Sequence, residues 1–200
     1  MRYALKEWNT AIEALGNGSA IAVWRKGGLE DTPSVTVPFE SFESSHEQFI
    51  LFPTFTHQTT DKIKKEFWDL LANKNISNKD NQLKIKYWAE LYEEFEINNL
   101  EELICVSNQL VNSNDHLVSS WNLYPDHKGK ILLLRVYALT DPVLITNSPE
   151  YGGCKSWAEL KIDIPKIGSN PVLSFKEFNK KARFIKKLLL DTKVTEKITS

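Results

Sequence analysis

Residues 83–91 read Leu83-Lys84-Ile85-Lys86-Tyr87-Trp88-Ala89-Glu90-Leu91, and this stretch decides the fold class. Leu83, Ile85, Tyr87, Ala89 and Leu91 alternate with Lys84, Lys86, Trp88 and Glu90, the two-residue period of a half-exposed strand. Working outward, Ile131–Leu139 is a strong strand containing Arg135 and Tyr137, and Pro142 to Ile145 is a further one. Phe49-Ile50-Leu51-Phe52 is a short core strand stopped at Pro53, and Ser19 to Trp24 is a buried strand broken by Arg25-Lys26-Gly27-Gly28. Helices are predicted over residues 3 to 15, where Leu5, Trp8, Ile12 and Leu15 recur at spacings of three and four before Gly16-Asn17-Gly18, and over Leu100 to Leu110. Thr59 or Thr60 is placed to cap another running through Lys62, Phe67 and Leu71. Residues 29 to 47 and 73 to 81 read as loops. The mixed order of elements predicts an α+β fold, a small mixed or antiparallel sheet flanked by helices. Its domain is expected to span residues 1–170, with a C-terminal basic amphipathic helix over 171–200 packed on it.

That last helix sets Phe175, Phe178, Ala182, Ile185 and Leu189 on one face. Its other face carries Lys176, Lys180, Lys181, Arg183, Lys186, Lys187 and Lys193 against Glu177 and Asp191. A solvated face is the commonest reading of such a helix, the clustering of charge on an otherwise neutral chain raises a phosphate-backbone contact, and a membrane-surface contact comes third because no lipidation signal accompanies it.

The chain has 200 residues, 42% of them apolar and 26% charged, ordinary values for a packed globular domain. Its net charge of −1 excludes a polycation, so any nucleic-acid surface is a local patch. No apolar run reaches membrane length, and Lys6 and Glu7 stand where a secretion signal needs apolar residues, so the expected location is the cytoplasm. Cys105 and Cys154 are too few for a disulfide framework or a Cys-based zinc site and are expected as free thiols.

Three clusters carry chemistry. In Arg25-Lys26-Gly27-Gly28 two cations adjoin two glycines whose amides can nest a phosphate; the same four residues also suit a solvated hairpin turn. Thr54, Thr56, His57 and Gln58 crowd the end of a core strand, where they either line a site mouth or cap the next helix. Around the Gly152-Gly153 turn, Glu150, Tyr151, Cys154, Lys155, Ser156 and Trp157 supply an acid, a cation, a thiol, a hydroxyl and two aromatics. Tyr151 or Trp157 stacks a flat ring while Lys155 meets a phosphate, or Trp157 simply plugs the core. Trp88, on the polar phase of its strand beside Lys84 and Lys86, is a candidate exposed stacking platform. The acidic run Glu90, Glu93, Glu94, Glu96, Glu101 and Glu102 reads as a solvated edge rather than a metal site. No metal or cofactor is called for.

Taken in order, Leu5-Lys6-Glu7-Trp8, Arg25-Lys26-Gly27-Gly28, Phe52-Pro53-Thr54 with His57-Gln58, Leu134-Arg135-Val136-Tyr137 and Glu150 to Trp157 resemble the bacterial Domain of Unknown Function family numbered 1802. The resemblance spans roughly residues 5 to 160 and implies no activity. Ser113 to Trp121 matches that pattern less well. In architecture, a helix leading through glycine into a strand with a basic turn is similar to PUA-like barrels that read RNA or modified DNA bases.

These residues support a DNA-acting protein that accepts a flipped, modified base and hydrolyses its N-glycosidic bond without metal; a phage-defence role is what is expected of small bacterial proteins acting on modified bases and is carried by no residue. Glu30 or Glu150 is the expected carboxylate, with His57 as its catalytic companion. Gln58 and Thr54 address the base, Tyr151 or Trp157 stacks it, and Arg25, Lys26, Lys155 and the amides of Gly27 and Gly28 hold phosphate. The alternative is a non-enzymatic PUA-like reader of DNA or RNA bases using the same pocket. DNA is the favoured partner, and no membrane contact is expected.

Overall fold

The computed structural model describes residues 1–26, 47–72, 82–123, 129–153 and 156–199. It is an α+β fold built on a curled sheet. Among the described residues, seven strands form one sheet: β1 (Tyr3–Trp8), β2 (Ala22–Lys26), β3 (Gln48–Thr54), β4 (Gln82–Ile97), β5 (Gly129–Thr146), β6 (Trp157–Glu159) and β7 (Asn170–Pro171). Their order is β2-β5-β4-β3-β1-β6, with β7 also on β5. β1 runs parallel to β3, and every other pairing is antiparallel. Around the sheet lie α1 (Asn9–Gly16), α2 (Trp68–Ala72), α3 (Leu100–Cys105), α4 (Asn114–Leu123) and α5 (Phe175–Thr199).

The long β4–β5 ladder is the spine, and two register shifts in it explain where the simple alternation fails. One lies between Ile85 and Tyr87, the other between Leu91 and Glu93. Across the first, β5 advances five residues against two on β4, and across the second β4 advances two against one, so neither strand keeps a strict two-residue period through them. Leu83 and Ile85 therefore share a cluster with Trp88, while Ala89 packs on the other side beneath α1. Trp88 is only 6% exposed and stacks on Tyr137 with ring centres 4.2 Å apart. The stacking platform expected at Trp88 is thus an interior aromatic pair. β5 runs unbroken to Thr146, so Pro142 to Ile145 is its continuation rather than a separate strand.

The N-terminal helix begins later than the spacing predicts. Residues 3–8 are a strand because β3 on one side and β6 on the other supply ladder partners, burying Ala4, Leu5 and Lys6 in succession. Pairing on both edges outweighs a local apolar period of three and four, which only Ile12 and Leu15 then satisfy as helix. The helix expected after Thr59 shrinks for a related reason. Ile63 bridges Asn112, and the Thr59 carbonyl accepts from the amides of Lys62 and Ile63, leaving a 3₁₀ turn at Lys65–Phe67 and the short α2.

On one face of the sheet, α1 packs Ile12 and Leu15 against Leu5, Phe49, Leu51 and Leu134. A second cluster lies under α3, α4 and α5, where Phe178, Ala182, Ile185 and Leu189 meet Ile21, Trp24, Leu117, Ile131 and Leu133. Phe175, assigned to that apolar face by its spacing, is exposed instead. The acidic run is partnered: Glu93 with Lys186, Glu94 with Lys130, and Glu90 with the Tyr137 hydroxyl. Buried Glu102 closes the start of α3, where its own amide donates to Asn99 Oδ1. Arg135 reaches Glu90 through that hydroxyl, its Nε donating to Tyr137 at 3.0 Å.

Candidate functional site

The C-terminal ends of β1 and β3 and the exposed end of β2 open into a cleft of about 530 Å³. β1 contributes Lys6, Glu7 and Trp8, β2 contributes Trp24, Arg25 and Lys26, and the segment after β3 contributes Thr56 and His57. α4 closes the far wall with His116 and Ser120. Strand ends bring these residues together because each strand stops where its neighbours stop, leaving terminal side chains to project beyond the sheet.

Charge inside the cleft is arranged in two ways. Arg25 Nη1 donates to Glu7 Oε2 at 3.1 Å and to the Lys6 carbonyl at 3.2 Å, so that guanidinium and carboxylate neutralise one another. Glu7 Oε1 also accepts from the Trp8 amide at 2.7 Å. Lys6, 7% exposed, donates to the carbonyls of Gly152 and Gly153 at 3.2 and 2.7 Å and pins that turn to β1. Lys26 differs: it has no carboxylate partner among the described residues, donates to the Trp121 carbonyl, and lies 4.8 Å above the Trp121 ring. Burial lowers its pKa.

Aromatic walls flank these charges. Trp8 and His116 face each other with ring centres 5.0 Å apart, and Trp24 donates its indole N–H to Ser120 Oγ at 3.1 Å. The Trp24 ring lies over Gly129, where an added Cβ would stand 1.8 Å from it, so only glycine lets this wall settle on β5. His57 holds a φ of 65° at the mouth, a left-handed conformation that costs a non-glycine residue about 1 kcal/mol.

His116 is held below its ordinary pKa of 6.5, first by burial and then by the Lys62 charge, with Asp61 pulling the other way. The folded protein therefore binds fewer protons here than the unfolded chain does. Stability from this group is complete above pH 6.5 and is lost as pH falls through the lowered folded value, beyond which it levels off. The expected result is a fall in Tm between pH 7.5 and 5 that is shallower in His116→Phe, measured by thermal denaturation in matched buffers. Equal slopes would remove His116 as the cause.

Of the residues singled out in the sequence, Arg25, Lys26, Thr54, Thr56, His57 and Ser156 line the cleft. Gln58 does not: its Oε1 accepts from the Thr10 amide and hydroxyl, capping α1 where Trp8 offers no side-chain cap. Tyr151 is buried in the core, edge-on to Phe52, with its hydroxyl accepting from the Lys161 amide. Trp157 packs edge-on to Phe49 beneath the same sheet. Glu150 is 63% exposed and paired with Lys161, outside the cleft. Gly27, Gly28, Glu30, Cys154 and Lys155 lie outside the described residues. Cys105 is half-buried, its thiol donating to the Glu102 carbonyl, and burial pushes its pKa up. No cluster of metal-ligating side chains occurs among the described residues.

Lys6, Glu7 and Trp8 are lining residues hidden by the helical period, and Ser120 lies on a helix that is not among those expected from the sequence. His116, on the same helix, is a candidate base for Cys154 in the sequence, set aside because Ser113 to Trp121 matches the family pattern less well. A signal for α4 existed in Ser113-Asn114-Asp115 followed by Leu117 and Trp121. Ser113 Oγ indeed accepts from the His116 amide at the start of that helix.

A family model described as a domain of unknown function, DUF1802, matches residues 4–183. The chain belongs to this family. The match ends inside α5 and takes in every described cleft residue of this DUF1802 domain. No curated protein matches the sequence. Among solved structures, the ASCH protein from Zymomonas mobilis is similar at 11% identity and a TM-score of 0.44, covering 90% of this chain and 93% of that one. Two point variants of the same protein give 11% and 12% identity with TM-scores of 0.43 and 0.42. They cover 91% and 90% of this chain, and 94% of each of theirs.

The expectation of N-glycosidic cleavage is overturned, and nothing supports the phage-defence role built on that chemistry. The three similar solved structures are described as ASCH proteins, and none of them is described as a glycosylase. Of the two carboxylates expected from the sequence, Glu150 stands outside the cleft and Glu30 lies outside the described residues, while the cleft's own Glu7 is engaged by Arg25 and the Trp8 amide. No helix of the described residues is long and apolar enough to cross a membrane.

Proposed function

We propose that this DUF1802 protein is a non-enzymatic nucleic-acid reader that takes one unpaired nucleotide into the cleft and releases it unchanged. The observation that carries this reading is Lys26, a cation without a carboxylate partner among the described residues, which rests over the Trp121 ring and lines the cleft together with Trp24 and the Trp8–His116 pair. A phosphate meeting Lys26 leaves its base within reach of the aromatic walls, the division of labour that single-strand recognition uses. His116, held neutral at pH 7, offers a donor and an acceptor to a base edge without adding charge, and the hydroxyl oxygens of Thr54 and Ser120, whose protons go to the Glu7 and Leu117 carbonyls, add acceptors. Arg25 and Glu7 shape the floor as a neutral pair.

The test measures fluorescence anisotropy of labelled single-stranded and duplex RNA and DNA, followed by mass spectrometry of the recovered oligonucleotide. Lys26→Met removes the charge and keeps the aliphatic stem against Trp121. It is expected to weaken single-strand binding about tenfold, the size of one charge-assisted contact, and the oligonucleotide is expected back intact. Unaltered affinity in Lys26→Met, or any released base or cut strand, would overturn the reading.

A further inference from the structure

The inner face of α5 is fixed in the core, which leaves its outer face to be polar by the usual amphipathic division. It is not uniformly so. Phe184 is 50% exposed on that face and forms, with Leu173, the apolar floor of a groove of about 590 Å³. Lys180, Arg183 and Lys187 rim the groove over two helical turns.

The neighbouring charges are already committed. Glu177 accepts from the Ser174 amide and hydroxyl while Ser174 Oγ accepts from the Glu177 amide, a capping box that starts α5. Lys181 donates to the Ser19 carbonyl, and Lys186 pairs with Glu93. Lys180, Arg183 and Lys187 have no carboxylate partner among the described residues. Like charges at spacings of three and four repel, so this rim costs stability until an anion occupies it.

We propose that this groove is a second nucleic-acid contact: one base of a single strand stacks on Phe184 while adjacent phosphates sit on Lys180, Arg183 and Lys187. The proposal extends the cleft reading from a single nucleotide to a strand, and rests on it for the class of ligand. Alternating flat apolar rings and regularly spaced anions match an aromatic floor with a cationic rim. An anionic bilayer matches less well, because α5 has its main apolar face turned into the core rather than outward.

The experiment uses the full chain and a labelled twelve-nucleotide single strand, with affinity measured across a salt series. Arg183→Gln with Lys187→Gln is expected to flatten the log–log salt slope by about 1.4, at roughly 0.7 per phosphate lost. Phe184→Ala is expected to weaken binding at least fivefold at fixed salt. Both sets of side chains are solvent-exposed, so Tm should not fall, and relief of the rim repulsion should raise it slightly in the charge variant.

Slopes and affinities unchanged in these variants, with binding still weakened by Lys26→Met, overturn the α5 groove and leave the cleft reading standing. The reverse pattern supports the groove and overturns the cleft. Insensitivity to all the substitutions overturns both. Loss in the α5 variants of binding to a polyglutamate peptide, with oligonucleotide binding intact, overturns the groove in favour of an acidic protein partner.

Discussion

Phe178→Ala is expected to cost about 4 kcal/mol of folding stability, the middle of the range for emptying a buried aromatic site. Phe178 is 1% exposed and is the first apolar anchor of α5. Tyr92 meets its ring edge-on with centres 4.9 Å apart, and the Arg135 guanidinium lies 5.6 Å from its centre. Truncation leaves a void under a helix start that cannot collapse, because Ser174 and Glu177 hold that turn through the capping box. The measurement is urea denaturation followed by far-ultraviolet circular dichroism and by tryptophan fluorescence. Coincident transitions shifted to lower urea would mean that α5 and the sheet unfold as one cooperative unit. A loss below 1 kcal/mol, or a separate early transition in circular dichroism alone, would show that α5 detaches on its own and that residues 171–200 are an appendage in energy as well as in sequence.

How much of this was legible beforehand depended on whether local or long-range physics decided each element. β3, β4, β5 and the anchored face of α5 are carried by their own apolar periods and were readable from sequence. β1 was not, since its ladder partners lie 46 residues away in β3 and more than 150 away in β6. The burial of Trp88 was equally hidden, because a bulge shifts the alternation and no residue type announces one there. The same division governs the site. Arg25, Lys26, Thr54 and His57 were readable because basic and hydroxyl residues at strand ends point to a mouth. Glu150, Tyr151 and Trp157 lie away from the cleft for the opposite reason: an octet dense in chemical types can be spent on a salt bridge, a core aromatic and a half-buried one packed against the core. The turn they surround does reach the cleft, but through Gly153 and Ser156, held in place by Lys6.

Glu7→Gln is expected to destabilise the protein by about 2–3 kcal/mol while strengthening nucleic-acid binding, and the opposite signs make it a sharp test of how the cleft is built. The Glu7 and Arg25 side chains are 12% and 16% exposed, so the remaining guanidinium would stand poorly solvated without its counter-charge. The residual exposure puts the figure below the 3–5 kcal/mol of fully buried pairs. Glutamine keeps an oxygen for the Trp8 amide, so the loss reports the charge rather than the backbone bond. Arg25→Met with Glu7→Gln should recover most of the stability, since a pair of neutral side chains leaves no uncompensated charge, and a double-mutant cycle gives the coupling directly. In binding, the single variant adds one net positive charge beside Lys26. Affinity for a single strand should rise at low salt, with a log–log slope steeper by up to about 0.7. Weaker binding in Glu7→Gln would mean that the carboxylate itself accepts a hydrogen bond from the ligand, which would move Glu7 from the floor of the cleft into the recognition of the base.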